Sequence, residues 1–359
     1  MLKKMETHFV TNETKARALK IFSAALVIAL LVGVSAVLLN NVVATPISPR
    51  EAQIRGWVND LAQDGLIAQR QRAQTQLESA GEEAVPALTT ALRSSNVNVR
   101  LNAADLLGYI ASTRATETLK QSLGSDPVSA VRANAARALG EIKDAAALNA
   151  LERASVLDAS PQVRDAANNA ITTVNESLIQ RAGRDISQVN VLAVAPNQAN
   201  TLYLASQRDL LISHDKGAQW ETFVQALPSV ASALTVNPTN PNILYAGMHS
   251  QGMYLSTDGG RTWQSLTRNF SNQAIGLSTV TALTVDASNP MRVVMAHGIR
   301  IGDSGREFFP LGILFSNDGG KTWGNVMDLG EGELVTRLQI KDGKVYALTN
   351  ERVLIAGLN

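Results

Sequence analysis

The chain has 359 residues, of which 45% are apolar and 18% are charged, with a formal net charge of +1 and no cysteine. This length predicts more than one domain. The near-neutral charge argues against nucleic acid as a partner, and the absence of cysteine excludes disulfides, thiolate metal sites and cysteine nucleophiles.

An uncharged apolar stretch of 19 residues, Ile21 to Leu39, lies near the N-terminus. At about 1.5 Å per residue it is long enough to cross a hydrocarbon core of about 30 Å. Lysines and an arginine precede this stretch, and the next cation after it is Arg50. The positive-inside rule therefore predicts a single-pass anchor at residues 21–39 in the cell membrane, with residues 1–20 cytoplasmic and the rest of the chain exported.

A cleaved signal peptide is the alternative for the same stretch, because Val42-Val43-Ala44 offers small residues at positions where cleavage occurs. The following residues 40–50 contain Pro46 and Pro49. This composition predicts a short, stiff spacer before the first domain.

Residues 51–180 carry a repeat with a period of 32, in which similar strings begin at Val99, Val131 and Val163. Between the strings, apolar residues at helical spacing predict second helices at 84–92, 115–123 and 146–151. The pattern predicts an all-α solenoid of helix-turn-helix units. Paired alanines predict a close helix-packing face, and they stand at positions 103, 104, 135, 136, 166 and 167.

The string Val131-Arg132 with Ala135-Ala136 and Leu139-Gly140 resembles HEAT-like repeats of the phycobilin-lyase type. Asp126 stands six residues before Arg132, as Asp158 does before Arg164, so we expect each carboxylate to pair with that guanidinium across the turn. An exposed, ligand-binding row of arginines is the alternative. We expect no cofactor here, because the repeats hold few aromatic side chains with which to stack a tetrapyrrole.

From residue 186 the apolar period changes from helical spacing to alternation, which predicts β-strands. Units begin near Leu192, Leu234, Leu283 and Leu338, and each continues with a second and a third strand. In the first three units a fourth strand follows, so we expect four strands per unit.

Three related strings end the third strands of the first three units: Ser213 to Trp220, Ser256 to Trp263 and Ser316 to Trp323. Their aspartates can accept backbone N–H groups of their own turn, their glycines permit positive φ, and each tryptophan packs the hairpin onto its sheet. We predict a structural role for Ser213, Asp215, Gly217, Trp220, Ser256, Asp258, Gly260, Thr262, Trp263, Ser316, Asp318, Gly320, Thr322 and Trp323.

These strings resemble the Asp-box of BNR-type, sialidase-like β-propellers, a resemblance that extends to sortilin-type propellers and to the luminal photosystem II assembly factor. The resemblance implies an all-β propeller-like domain over 186–359 with about four blades. The last unit, from Arg337, stops after its third strand and has no box. A missing strand could come from residues 175–190, from another subunit, which would make a homo-oligomer, or from nowhere.

Differences in unit length place insertions inside Thr267 to Val280 and inside Ile299 to Leu311. Long loops on a rigid scaffold are where binding tends to be placed, and the second insertion combines arginines with an aromatic pair, as protein-binding hot spots do. The candidate protein-binding loop comprises Arg300, Asp303, Arg306, Glu307, Phe308 and Phe309. The alternative is a loop that folds back and buries its two phenylalanines.

No catalytic set is evident. Sialidase-type chemistry needs a tyrosine nucleophile with acidic partners, but Tyr203, Tyr245 and Tyr346 fall within predicted second strands. His249 and His297 end equivalent second strands, and they lack enough further ligands for a metal. We therefore expect a noncatalytic, membrane-anchored scaffold that binds membrane or envelope proteins and aids assembly of a membrane complex. The alternative function is a glycan-binding or glycoside-hydrolysing envelope protein.

Overall fold

The computed structural model describes residues 47–62, 66–196, 200–266, 277–301 and 307–358. The predicted membrane span at residues 21–39 lies outside this part of the chain. Within the described residues, no helix combines the length and apolar character needed to cross a bilayer. Residues Ile54–Asn359 form one compact unit that contains both the helical repeats and the β-rich region.

Helices occupy the first half of the described chain and alternate in length, as expected for helix-turn-helix units. They are α1 (Pro49–Asp60), α2 (Ile67–Ala80), α3 (Val85–Ala91), α4 (Val97–Ile110), α5 (Thr116–Ser125), α6 (Ser129–Ile142), α7 (Leu148–Leu157) and α8 (Pro161–Arg181).

The longer helices α4, α6 and α8 pack closely on one another at contacts that recur with the period of the repeat. A Cβ on Gly108 would lie 2.9 Å from Cα of Ala138, and one on Gly140 would lie 3.0 Å from Cα of Ala170. The predicted alanine pairs are all buried beside these contacts. Small side chains therefore let successive repeats approach, as the sequence predicts.

Arginine–aspartate pairs join neighbouring repeats, but with other partners than the sequence predicts. Arg100 Nε donates to Asp126 and Arg132 Nε donates to Asp158, both at 2.7 Å. The predicted pairing of Asp126 with Arg132 is wrong, because Arg132 donates to the main-chain carbonyl of Asp126 at 2.9 Å. Arg164 does the same with Asp158. Each carboxylate instead accepts two bonds from the guanidinium of the preceding repeat, the stronger bidentate arrangement.

Strands fill the second half of the described chain. They are β1 (Val189–Val194), β2 (Leu202–Ser206), β3 (Asp209–Ser213), β4 (Glu221–Phe223), β5 (Ala231–Val236), β6 (Leu244–Met248), β7 (Gly252–Ser256), β8 (Gln264–Ser265), β9 (Thr279–Val285), β10 (Val293–Ile301), β11 (Glu307–Ser316), β12 (Gly324–Asp328), β13 (Val335–Lys341), β14 (Lys344–Thr349) and β15 (Val353–Gly357).

The strands form four antiparallel sheets, each made of strands consecutive in the chain. We number them sheet 1 (β1–β4), sheet 2 (β5–β8), sheet 3 (β9–β12) and sheet 4 (β13–β15). The first strands of successive sheets contact one another, and apolar clusters fill the space between neighbouring sheets. Among the described residues, the first three sheets have the predicted four strands and sheet 4 has three.

The last two helices pack on the first and the last sheet. Ile179 of α8 joins Leu204 and Leu211 of sheet 1 in one buried cluster. At the other end, α7 contacts β13 and β14 of sheet 4. The helical repeats and the sheets therefore share a core rather than meeting at an exposed linker.

Candidate functional site

A two-stranded extension projects from sheet 3, because β10 has nine residues and β11 has ten, whereas the second and third strands of sheets 1 and 2 have five each. Beyond a register shift at His297 and Gly298, pairing continues to Ile301 and Glu307. We call residues 298–301 with 307–310 the ribbon. The box of sheet 3 lies at the other end of β11.

The ribbon corrects the prediction of a loop over Ile299 to Leu311. Its described residues are strand residues, with Ile299 opposite Phe309 and Arg300 opposite Phe308. Branched and aromatic side chains favour extended backbone and stabilise each other as cross-strand pairs, which explains why the strands continue here.

The two phenylalanines lie on opposite faces of the ribbon and differ in their exposure. A Cβ on Gly298 would lie 2.4 Å from the main-chain oxygen of Phe309 and 2.4 Å from Cζ of Phe308, so glycine allows the half-buried ring to lie against the backbone. By contrast, Phe309 is 39% exposed. The predicted fold-back of the aromatic pair therefore holds for Phe308 and fails for Phe309.

The charged residues of the candidate loop are divided between the ribbon and undescribed residues. Arg300 and Glu307 are exposed on the ribbon, whereas Asp303 and Arg306 lie outside the described residues. Of the other predicted insertion, residues 267–276 are also outside, Leu277 is 72% exposed, and Thr279 and Val280 begin β9. The described part of the site thus presents Arg300, Phe309 and Glu307.

Two histidines lie near the base of the ribbon, in different environments. His297 is 4% exposed, its Nδ1 has no hydrogen-bond partner, and burial lowers its pKa to about 4. Burial, and then the charge of Arg300, lower the pKa of the half-buried His249. Both imidazoles are therefore neutral at pH 7. Among the described residues, no group of three or more histidines and carboxylates could hold a metal ion.

The boxes are turns held by their own side chains. In the third box, Ser316 donates to Asp318 at 2.8 Å, and Gly320 N donates to Ser316 Oγ at 2.8 Å. Thr322 donates its hydroxyl to Asp318 at 2.6 Å, and Trp323 Nε1 donates to Gly320 O at 3.1 Å. Hydrogen bonds from the threonine hydroxyl and backbone lower the pKa of Asp318 to about 2.

The other two boxes repeat this geometry with one difference. The second box has the same set of bonds among Ser256, Asp258, Gly260, Thr262 and Trp263, and the pKa of Asp258 is again lowered to about 2. In the first box, Ser213, Asp215, Gly217 and Trp220 are bonded in the same way. There Gln219 supplies a backbone N–H to Asp215 but no hydroxyl. The box aspartates are thus committed to their turns and are unsuited to proton transfer.

Sequence reasoning missed a polar contact between the repeats and sheet 4. Arg337 of β13 donates to Asn168 of α8 and, at 3.3 Å, to Ser155 of α7. Burial raises the pKa of Glu152, which Arg337 opposes. A lone arginine at the start of a strand gave no sequence signal, because its partners lie 169 and 182 residues away.

Comparison with known families supports the same division of the chain. A family model described as HEAT repeats matches residues 60–172, and one described as Sortilin, neurotensin receptor 3, matches residues 208–328. The chain therefore joins HEAT repeats to an Asp-box, propeller-type region, and the predicted resemblances to HEAT repeats and to sortilin-type propellers are confirmed.

Individual relatives match only parts of the chain. A probable oligoxyloglucan-reducing end-specific xyloglucanase of Neosartorya fischeri is 28% identical over 150 residues, 38% of this chain and 17% of that protein. This chain therefore spans less than a fifth of the length of that curated relative.

Solved structures that resemble the chain also do so in part. A crystal structure of an ancestral GH74 enzyme has a TM-score of 0.40 and 24% identity, covering 48% of this chain and 23% of its own. The complex of CpcE and CpcF of phycocyanin lyase from Nostoc has a TM-score of 0.28 and 24% identity, covering 34% of this chain and 53% of its own. Neither match is close enough to assign an activity.

Proposed function

We propose that the protein is a noncatalytic scaffold that binds membrane or envelope proteins and aids assembly or stability of a membrane complex. The main support for this proposal is the ribbon. It is an extension of a paired sheet, so its backbone is ordered before binding, and it presents Arg300 on one face and Phe309 on the other. Arginine and aromatic side chains on a preorganised surface are typical of binding hot spots.

The attachment of the repeats to the sheets adds to the proposal. Because α8 shares a core with sheet 1 and α7 contacts sheet 4, the solenoid and the ribbon belong to one compact unit. A partner could therefore be held at two surfaces with little loss of freedom between them. In this proposal the sheets form a propeller of about four blades with an incomplete last blade, and residues 21–39 anchor the exported part to the cell membrane.

A glycan-binding or glycoside-hydrolysing function is the second candidate, and the similarity to the xyloglucanase favours it. Glycoside hydrolysis requires a general acid with a raised pKa. In the described β-rich residues, the carboxyl groups whose pKa shifts all move downward, as those of Asp258, Asp318 and Glu333 do. These shifted groups are therefore unsuited to act as the general acid.

Crosslinking of the full chain in intact membranes, followed by mass spectrometry, tests the scaffold function. We expect Phe309→Asp to lower recovery of the crosslinked partner about tenfold, because a charge replaces the apolar centre of the contact. Val224→Asp is the matched control, since Val224 is 73% exposed and lies after β4, away from the ribbon. Equal recovery from both variants and the unaltered chain would overturn the ribbon as the binding surface.

The same preparation tests the anchor and the second candidate. An N-terminus at Thr45 in the membrane fraction would contradict an uncleaved anchor at residues 21–39. Release of reducing sugar from xyloglucan oligosaccharides would contradict a noncatalytic function, whereas retention of the chain on a xyloglucan column without hydrolysis would favour glycan binding.

A further inference from the structure

Two adjoining grooves lie along the short helices of the repeats, and described residues line both. The first groove, of about 330 Å³, lies between α5 and the residues that follow α3. The second, of about 390 Å³, lies between α5 and α7 and reaches Lys341 of β13. The grooves adjoin at Gln121, which lines both. We call the two together the short-helix groove.

The two halves of this groove are built by the same positions of successive repeats, but their linings differ. Hydroxyl-bearing side chains line the first half: Thr118, Ser122 and Ser125. Apolar side chains stand one period of 32 residues further on, in the second half: Ala150, Ala154 and Leu157. The half next to sheet 4 therefore suits an apolar side chain of a ligand, because burying it there removes apolar surface from water.

The carboxylates that line the groove are already paired. Asp126 and Asp158 accept from Arg100 and Arg132 in the ion pairs that join the repeats. Glu117 pairs with Lys120 at 2.8 Å. These pairs leave little negative charge for a cationic ligand.

The remaining charged residues of the groove are cations. Arg93 donates to the neutral amide of Gln121 at 3.1 Å. Arg153 and Lys341 are exposed, and neither has a carboxylate partner within the part of the chain that the structure describes. Asp342 follows Lys341 but does not line the groove. The second half of the groove thus combines an apolar wall with two cations that lack a counter-charge.

The undescribed residues of the sequence lack an acidic segment that matches these cations. Their side-chain carboxylates belong to Glu6, Glu13, Asp64 and Asp303, which are separated along the chain. Glu6 and Glu13 stand among a larger number of lysines, and Asp303 is soon followed by Arg306. Charge complementarity therefore favours a segment of another protein as the occupant.

We propose that the short-helix groove binds an extended acidic segment of a partner protein. This inference rests on the proposed scaffold function, and it names a second binding surface and the chemistry that this surface recognises. Carboxylates of the segment pair with Arg153 and Lys341, and an apolar side chain between them packs beside Ala154 and Leu157. A guanidinium can donate two parallel hydrogen bonds to a carboxylate, and complementary charge selects the partner and speeds its association.

The probe for the test is the fluorescent peptide Glu-Glu-Leu-Glu-Glu-Leu-Glu-Glu, added to the full chain in detergent. We expect saturable binding by fluorescence anisotropy that weakens as salt is added. Arg153→Glu should weaken binding about tenfold, because repulsion replaces attraction. Lys321→Glu is the matched control, since Lys321 is an exposed cation that does not line the groove, and it should bind within about twofold. No binding to the unaltered chain, or equal weakening by the two variants, would overturn the proposal.

An exchange of charge keeps the test independent of how a variant folds. The double variant Arg153→Glu, Lys341→Glu should bind the peptide in which lysine replaces every glutamate, and the unaltered chain should not. The acidic peptide should show the opposite preference. Binding of neither peptide by the double variant, or equal binding of both, would contradict pairing in this groove.

Photocrosslinking in intact membranes identifies the natural occupant. Photoreactive p-benzoylphenylalanine at position 121, an exposed position common to both halves of the groove, should capture a segment in which acidic residues flank an apolar one. Addition of Arg153→Glu should lower the yield about tenfold. Crosslinks to another part of the same chain, or to a second copy, would overturn our choice of occupant.

The same photoreactive group at position 309 of the ribbon separates this inference from the scaffold function. If a partner is recovered from position 309 but not from position 121, the scaffold function stands and the groove fails. If neither position yields a partner, the scaffold function itself fails.

Discussion

The helical repeats and the Asp-box sheets both reuse a polar motif, but they place its partners at different distances along the chain. In the repeats, Arg100 and Asp126 are 26 residues apart and belong to neighbouring units. In the boxes, Ser316, Asp318 and Thr322 bond one another within a single turn. The buried ion pair of a repeat therefore depends on the neighbouring repeat, whereas the polar bonds of a box form within its own turn.

The largest effect should come from breaking a contact between repeats. Arg100→Ala removes one member of a pair in which both side chains are less than a tenth exposed. We expect a loss of about 3–5 kcal/mol in the free energy of unfolding, because Asp126 is left buried and unpaired. Urea unfolding followed by far-UV circular dichroism measures it.

Lys120→Ala provides the matched control for Arg100→Ala. Lys120 pairs with Glu117, whose side chain is 72% exposed, so its loss should cost less than about 0.5 kcal/mol. Similar losses for the two variants would contradict the idea that neighbouring repeats are held by the buried pair.

A fall in pH should destabilise the sheets before it destabilises the helical repeats. Because the pKa of the buried His297 is about 4 in the folded state against 6.5 ordinarily, the unfolded state takes up the proton first as the pH falls. Stability is then complete above about pH 6.5 and falls by about 3 kcal/mol by pH 4. Fluorescence of the tryptophans in the sheets should report this loss during urea unfolding.

The helical repeats should resist the same change in pH. Burial raises the pKa of Asp158, but the hydrogen bonds from Arg132 and Ser160 N have the larger combined effect. The pKa of Asp158 is therefore lowered from 3.8. The stability from this group is therefore present above about pH 4 and is lost only as the pH falls further. His297→Leu should remove the pH dependence of the sheets between pH 6.5 and 4, and an unchanged dependence in that variant would exclude His297 as its source.

Removing the polar contact between sheet 4 and the helical repeats should have an intermediate effect on the free energy of unfolding. Arg337→Met removes the bonds to Asn168 and Ser155 and leaves Glu152 without its opposing cation. At pH 7, where we expect both regions of the unaltered chain to unfold together, this variant should lose about 2 kcal/mol and its helix and tryptophan signals should unfold separately. Arg352→Met is the control, because the Arg352 side chain is 65% exposed in its pair with Glu333. Coincident transitions in Arg337→Met would show that the apolar contacts alone couple the regions.

The smallest loss in the free energy of unfolding should come from a substitution within a single box. Asp258→Ala removes the acceptor for the backbone N–H groups of Arg261 and Thr262. By analogy with helix-capping aspartates, we expect a loss of about 1 kcal/mol, confined to sheet 2. Hydrogen exchange should show faster opening of β7 and β8 only. A comparable increase in the helices would contradict a self-contained box.

The contrast between near and distant partners also explains what could be predicted. The period of 32 and the three box strings are visible because their residues recur at fixed spacing, and both family matches agree with them. The pairing of Asp126 was predicted wrongly because Arg132 is nearer in sequence, whereas Arg100 is better placed in space. The ribbon was predicted as a loop because a length comparison locates an insertion without revealing whether it continues the ladder.

The sequence by itself determined the repeating units of this protein: the small residues that let helices approach and the turn chemistry of the boxes. These features arise from contacts within one turn or from a fixed period, so the order of residues specifies them. The tertiary structure decided which residues meet across units or strands: Arg337 with α7 and α8, and Phe308 against Gly298. Such contacts depend on how separate elements pack, and no local pattern in the chain records that packing.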